Sequence, residues 1–314
     1  MPAPIDLFGL APGRERTDIA LPGSPERSAA RVAVEDAEGR IWVAERLSPG
    51  QRDRRERLGR ALAALDRAGL PVAAYLPGPD GRFTADGPGG CWQVSPFVHG
   101  DRLPRPDYVD HGPRGTALGA FLADLKDAAT GVREFDQVPR FLLEEYVNGL
   151  LEAVRPRRPE VHAALTPALP ALAPLFDAWA GLPESLCQGD FHPLNVIWRG
   201  QEVAAVIDWE FAGLRPALFD AANCLGCVGI EDPRALVGGL APALLRALRG
   251  RDALDPDGFA LLPEMVLGLR FAWMSEWLRR GDAEMIDLET RFIRLLANSL
   301  DTLGPAWRRI VDQP

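Results

Sequence analysis

Residues 187–198 read CQGDFHPLNVIW, and residues 199–208 continue RGQEVAAVID. A carboxylate, Asp190, and an amide, Asn195, stand on a short loop that enters the apolar segment Val196-Ile197-Trp198. Arg199-Gly200-Gln201-Glu202 separates that segment from a second apolar run, 203–207. Two such runs around a Gly-containing turn predict a β-hairpin. With Gly200-Gln201 at the turn, residue 199 faces 202 and residue 195 faces about 206, which brings Asn195 close to Asp208 at the open end. Asp190 leads into the same end. Singly, each would serve as a turn cap or a strand terminus. Together they offer two carboxylates and an amide oxygen, a donor set that suits Mg²⁺. One carboxylate is left to orient a hydroxyl, which is the layout of a phosphoryl-transfer site.

The longer block QGDFHPLNVIW…AAVIDWEFAGLRPALFDAAN, 188–223, resembles the signature of the aminoglycoside phosphotransferase and choline kinase superfamily, protein-kinase-like small-molecule kinases that include homoserine kinase-like members. Its usual pattern is His-Gly-Asp-x-x-x-x-Asn, a hairpin, Ile-Asp-Trp-Glu, a Gly, and a later Asp that opens a helix. The resemblance implies an α+β fold of two lobes, a small β-rich nucleotide lobe over 1–98 and a larger helical lobe over 99–314. It implies Asp190 as catalytic base, Asn195 and Asp208 as metal ligands, and Gln188, His192 and Asp220 as supports of the catalytic loop. ATP with Mg²⁺ is the implied donor, GTP the alternative, and the implied acceptor is a hydroxyl of a small, amine-bearing molecule such as homoserine, choline, ethanolamine or an aminoglycoside.

Two positions depart from that pattern. Gln188 stands where the family has His; its amide both donates and accepts, so it suits a framework role. In the strand Ile41-Trp42-Val43-Ala44-Glu45-Arg46-Leu47, Glu45 falls where the family carries a phosphate-anchoring cation. Arg46 is next, but neighbouring strand residues point to opposite faces. Either a one-residue shift turns Arg46 inward, with Glu56 as its partner, or the pair is reversed, with Glu45 facing an Arg of the helix that carries Arg52, Arg54, Arg55, Arg57 and Arg60. These departures sustain an alternative of another class, a catalytically impaired kinase fold that binds nucleotide or a protein.

The resemblance places Gly23, Ser24 and Ser28 in the loop over the phosphates, where backbone N–H groups hold anions. It places Ser95, Phe97 and Val98 in the interlobe hinge. Glu264, Glu276, Asp282 and Glu284 fall on the late helices that shape the acceptor pocket in relatives, and Trp273 and Trp277, four apart on one helix face, offer a stacking surface for an amine or simply pack the core.

The remaining pattern agrees with this layout. Strands are expected at 32–34, 41–47, 72–76 and 91–98, with a helix between the second and third whose stripe is Leu58, Leu62 and Leu65. Residues 1–20 read as a loosely held arm. Beyond Gly100 helical spacing dominates, with helices near 118–125, 139–155, 171–181, 216–228, 234–249, 256–280 and 283–303. The net charge of -9 over 314 residues gives no basic face for nucleic acid. The most apolar stretch, 161–182, is broken by Pro167, Pro170 and Pro174 and predicts no membrane span. Four cysteines and no leader-like start predict the reducing cytoplasm, and Cys224-x-x-Cys227 lacks the second pair a zinc site needs. Lys126 is the single lysine, so any cation the chemistry needs is expected to be an arginine.

Overall fold

The computed structural model describes residues 4–21 and 28–312. A five-stranded antiparallel sheet comes first, formed by β1 (Pro12–Glu15), β2 (Ser28–Asp36), β3 (Ile41–Leu47), β4 (Ala85–Gly87) and β5 (Gly90–Pro96) in the order β1-β2-β3-β5-β4. Helix α1 (Arg52–Arg67) follows β3. Its Leu58, Leu62 and Leu65 are buried as the stripe predicts, each contributing about 1.5–3 kcal/mol by leaving water.

Strand alternation divides the sheet's two faces. Val34, Ala44, Trp92 and Val94 form an apolar cluster on one face, covered by Ile5 and Phe8. Residues 4–20 are therefore not a loose arm. The 3₁₀ turn Ile5–Phe8 is docked on this apolar sheet face, and β1 pairs antiparallel with β2. Arg31, Val43, Glu45 and Ser95 lie on the other face, towards a cleft.

The expected strand at 72–76 is a connector instead. Val206 N–H donates to the Pro71 carbonyl and Leu76 N–H to the Val94 carbonyl, both at 2.9 Å, so its two ends borrow from two different sheets.

The helical lobe contains α2 (Gly112–Ala128), α3 (Leu143–Val154), α4 (Pro159–Leu165), α5 (Ala173–Ala178), α6 (Phe219–Glu231), α7 (Leu240–Gly250), α8 (Pro256–Ala260), α9 (Leu262–Arg280), α10 (Ala283–Ala297) and α11 (Leu300–Asp312). The helix expected over 283–303 is two, interrupted at Asn298-Ser299, where Ser299 N–H turns back to the Leu296 carbonyl. No helix among the described residues is long and apolar enough to cross a membrane.

Two small ladders sit between the sheet and these helices. The predicted hairpin is β7 (Val196–Arg199) with β8 (Glu202–Val206). Arg199 faces Glu202 as expected, but a bulge between Ile197 and Trp198 makes Val196 the partner of Val206, one residue from the expected register. The second ladder, β6 (Glu184–Cys187) with β9 (Gly213–Pro216), had no sequence signal, since its short strands are distant in the chain and no turn joins them directly.

Candidate active site

The loop 188–195 runs from β6 to β7, so a ladder anchors each end. Asp220, at the start of α6, accepts from Gln188 N–H at 2.6 Å and Gly189 N–H at 2.9 Å. Burial pushes its carboxyl up to about 6 despite these two donors. Gly189 has φ +87°, and a Cβ there would lie 2.1 Å from the Phe211 carbonyl oxygen, so the loop requires glycine.

Gln188 is fully buried and makes three bonds with its amide. Nε2 donates to the carbonyls of Ile207 (2.9 Å) and Asp208 (2.7 Å), and Oε1 accepts from Asp190 N–H (2.7 Å). One side chain thus ties the Asp190 loop to the end of the hairpin, a task that needs both a donor and an acceptor.

Asn195 Nδ2 donates to Asp190 Oδ2 at 3.1 Å and to the Asp190 carbonyl at 2.9 Å, while its own carbonyl accepts from Ile207 N–H at 3.0 Å. With its NH₂ committed, the Asn195 amide oxygen remains as the acceptor end. Asp208 adopts the left-handed conformation, φ 57° and ψ 55°, which costs a non-glycine residue about 1 kcal/mol or more. The Gln188 bond to its carbonyl holds it there. Asn195 and Asp208 both line the cleft, and a hard divalent cation fits this amide–carboxylate donor set with water and phosphate oxygens completing the shell. No group of three or more His, Cys, Asp or Glu side chains placed to hold a metal ion occurs among the described residues.

His192 is buried; its Nδ1 accepts from Leu194 N–H at 3.3 Å, and its Nε2 lies 3.7 Å from Asp190 Oδ2. It stands edge-on to Trp273, whose indole N–H donates to Asn223 Oδ1, and Asn223 in turn donates to the Phe191 carbonyl. Asn223 is a loop brace that sequence reasoning did not single out.

The cleft has a volume of about 1750 Å³ and is lined from both lobes, by Ser28, Glu45, Ser95, Phe97 and Val98 on one side and Asp190, Asn195 and Asp208 on the other. Phe97 N–H donates to the Ile41 carbonyl, which holds the segment after β5 to the start of β3, the sheet's middle strand. Gly23 and Ser24 lie outside the described residues.

Glu45 faces the cleft, and Arg46 does not. Arg46 packs against Gly89 and Gly90 on the far side, so strand parity excludes the one-residue shift. Glu56 is not its partner either: its carboxylate accepts from the N–H groups of Phe83 and Thr84. Glu45 pairs with Arg31 across the β2–β3 ladder. The arginine of α1 that turns inward is Arg55, which donates to the Tyr75 hydroxyl and forms a buried pair with Glu210. A four-residue turn at 36–39 would set residue 31 opposite 44; the observed turn, in which Asp36 N–H donates to the Arg40 carbonyl, shifts the register by one and sets Arg31 opposite Glu45.

On the acceptor side, Trp273 and Glu276 line the cleft, and Trp277 does not. Trp277 stacks on Trp273 and donates to Glu289, which is bound to Arg270 by two 2.6 Å bonds in the interior. Glu276 accepts from Arg279 and Arg280. Glu264 and Glu284 are absent from the cleft lining, and Asp282 caps α10 by accepting from Met285 N–H. Arg215 also lines the cleft and was not anticipated. Its guanidinium lies over Phe219 and Phe141 at 4.8 and 5.5 Å, its Nε has no hydrogen-bond partner, and burial depresses its basicity. Cys224 and Cys227 are free thiols on α6, and burial pushes Cys227 up to about 12, which fits packing rather than redox chemistry.

The phosphotransferase enzyme family model matches residues 21–256. Homoserine kinase of Rhodopseudomonas palustris (strain ATCC BAA-98 / CGA009) is 31% identical over 144 residues, 44% of this chain and 44% of that protein. Homoserine kinase of Rhizobium etli is 26% identical over 228 residues, 71% of this chain and 69% of that one. The chain thus aligns with less than half the length of the Rhodopseudomonas relative. Among solved structures, the amicoumacin kinase hAmiN superposes with a TM-score of 0.70 at 17% identity, covering 92% of this chain and 90% of that chain. The microcompartment-associated aminopropanol kinase superposes with a TM-score of 0.62 at 20% identity, covering 93% of each. At such identities the superpositions speak for the fold, a kinase-like arrangement of a small antiparallel sheet and a mostly helical remainder. The match begins before β2, runs through the loop 188–195 and both ladders, and ends at the start of α8, and on that extent the chain belongs to the phosphotransferase enzyme family.

Proposed function

We propose that this protein transfers the γ-phosphoryl group of ATP to a hydroxyl of a small amino alcohol. The carrying observation is the convergence at the open end of the hairpin: Asp190 and Asn195 joined by a 3.1 Å bond, and Asp208 held in a left-handed conformation beside them, all on one cleft. In this reading Asp190 accepts a hydrogen bond from the acceptor hydroxyl and takes its proton as the new P–O bond forms and ADP departs with the electrons of the bond that breaks. Asn195 Oδ1 and the Asp208 carboxylate would hold Mg²⁺, which when bound would neutralise phosphate charge. Residues 1–98 hold the nucleotide and residues 99–314 carry the chemistry and the acceptor, in the cytoplasm where ATP is supplied.

The acceptor wall is of mixed charge. Glu276 is already met by two arginines, and Arg215 stands over two aromatic rings with no direct ion pair among the described residues, the Asp220 carboxyl acting on it only through space. A zwitterionic amino alcohol such as homoserine matches that wall better than the purely cationic choline, in keeping with the homoserine kinases among the relatives. The second reading, a nucleotide-binding protein that transfers nothing, draws on Glu45 at the usual cation position. Gln188 lends it no support, since its three hydrogen bonds give the loop the donor and acceptor it needs.

The test is ADP release from MgATP with L-homoserine, ethanolamine, choline and an aminoglycoside, on wild type and Asp190→Asn. Turnover with one acceptor, abolished in Asp190→Asn while ATP still raises the melting temperature, is expected. Full turnover by Asp190→Asn would sink the assignment of the base, and no nucleotide response in wild type would sink the kinase reading altogether.

A further inference from the structure

We infer, resting on the proposed phosphoryl transfer, that Arg215 on β9 selects the acceptor by receiving its carboxylate. The substrate class is then a hydroxylated amino acid, not an amino alcohol that lacks the acid group.

Several arginines line the cleft, and the others are accounted for. Arg31, Arg55, Arg105, Arg279 and Arg280 each pair with a carboxylate, and Arg102 is exposed beside the interlobe segment. Arg215 has no ion pair and no side-chain hydrogen bond among the described residues, and its Nε is buried without a partner. Asp220 acts on it through space, but both oxygens of that carboxyl already accept from the N–H groups of Gln188 and Gly189. Arg54 on α1 adds a charge of the same sign. A guanidinium drawn partly out of water calls for an anion, because an uncompensated buried charge is costly. The described residues supply none.

The surroundings of Arg215 say which anion fits. Its guanidinium lies over the rings of Phe219 and Phe141, 4.8 and 5.5 Å from their centroids. Such contacts use the positive charge but make no N–H···O bond, so the planar fork is left for the two oxygens of a carboxylate. The side chain folds back along β9: a Cβ added at Gly213 would lie 3.2 Å from Arg215 Nη1. Gly213 is the ladder partner of Cys187, three residues before Asp190, so the fork stands beside the start of the catalytic loop. Asp220 feels the charges of both Arg215 and Asp190, which places the anion site and the base in one neighbourhood. In the proposed reaction the phosphates of the nucleotide belong at Asn195 and Asp208. Arg215 instead sits with aromatic residues of the helical lobe, Phe141 before α3 and Phe219 at the start of α6, and all three line the cleft. An acceptor with its hydroxyl at Asp190 directs its carboxylate to Arg215.

The test measures ADP release with pairs of acceptors that differ only in a carboxylate: L-homoserine and 3-aminopropan-1-ol, L-serine and ethanolamine, L-threonine and 1-aminopropan-2-ol. Wild type, Arg215→Met and Arg215→Lys are compared. Wild type should prefer the acid in the pair it uses. Arg215→Met should reduce that preference in kcat/KM by roughly 10- to 100-fold, through the KM of the acid. Arg215→Lys should reduce it less, since a point charge replaces the fork, and it carries the test should Arg215→Met fail to fold. Without ligand, Arg215→Met should melt no lower than wild type, as expected of a charge kept for binding and not for the fold. A wild type that favours the member without the acid, or uses no member of any pair while MgATP still raises its melting temperature, overturns the inference and leaves the nucleotide site standing. Equal losses on both members of a pair in Arg215→Met and Arg215→Lys would make the residue structural and overturn it too. So would a KM that rises for MgATP alone, since the anion would then be the nucleotide's phosphate. A wild type that answers to no nucleotide overturns the transfer reading and the inference together.

Discussion

Replacing Gln188 with alanine removes three hydrogen bonds from a fully buried position. At about 1 kcal/mol net for each bond the loss is about 3 kcal/mol. The Asp190 N–H and the carbonyls of Ile207 and Asp208 lose their partner where water has little access, which brings the expected total to about 3–5 kcal/mol. Against a total stability of about 5–15 kcal/mol the variant still folds. The function should suffer more than the fold, because the lost bonds join the Asp190 loop to Asp208, and Asp208 leans on one of them in its strained conformation. Gln188→Glu keeps the acceptor for Asp190 N–H but turns a carboxylate oxygen on two carbonyl oxygens, so it should be no better than alanine. Gln188→His restores one donor and one acceptor and should fall between alanine and wild type. Urea denaturation gives the stability, and the Mg²⁺-dependent part of the ATP thermal shift gives the site. A Gln188→Ala protein within 1 kcal/mol of wild type, with an undiminished Mg²⁺-dependent shift, would refute the reasoning that this residue couples the two halves of the site.

Gly189→Ala should cost at least about 2 kcal/mol and abolish turnover, because a Cβ meets the Phe211 carbonyl and the backbone is left-handed; chemical denaturation and ADP release check it. Glu289→Ala should cost about 3–5 kcal/mol by leaving Arg270 buried and unpaired, whereas Arg270→Met/Glu289→Leu should be far milder; two equal denaturation midpoints would contradict this. Asp208→Asn keeps a side chain that tolerates the left-handed conformation, so its stability in the absence of ligand should match wild type within about 1 kcal/mol, while the Mg²⁺-dependent ATP shift disappears. Asp220 carries the clearest pH signature. Its carboxyl rises from 3.8 to about 6 on folding, so the native state binds the proton more tightly, and the group costs the fold up to about 3 kcal/mol as pH climbs from 4 to 6. The stability of wild type relative to Asp220→Asn should accordingly fall with rising pH across that window; a difference flat in pH would count against a buried, titrating Asp220.

Much of the site's placement is legible in one stretch of chain. The hairpin that joins Asn195 to Asp208 is closed by a four-residue turn, and the glycine before Asp190 announces a tight bend. A single bulge at Ile197 and Trp198 moved the pairing by one residue without separating the groups. The stripe of Leu58, Leu62 and Leu65 likewise became the buried face of α1, since helical spacing is a property of the local chain. The β6–β9 ladder escaped notice because its short strands are distant in the chain with no turn to announce their pairing, and Trp277 turned to Glu289 because helix spacing does not say which neighbour a face meets.

The sequence alone placed Glu45 and Arg46 on opposite faces of β3 and folded β2 onto it by a hairpin, although a four-residue turn at 36–39 would set Arg31 opposite Ala44 and the turn that forms sets it opposite Glu45. It did not determine which face of that sheet becomes the cleft. That was decided by the docking of Ile5 and Phe8 onto Val34, Ala44, Trp92 and Val94, which left Arg31 and Glu45 on the open side. The register of a hairpin follows from short-range hydrogen bonding, whereas the facing of a sheet depends on which distant apolar groups gain most by leaving water together.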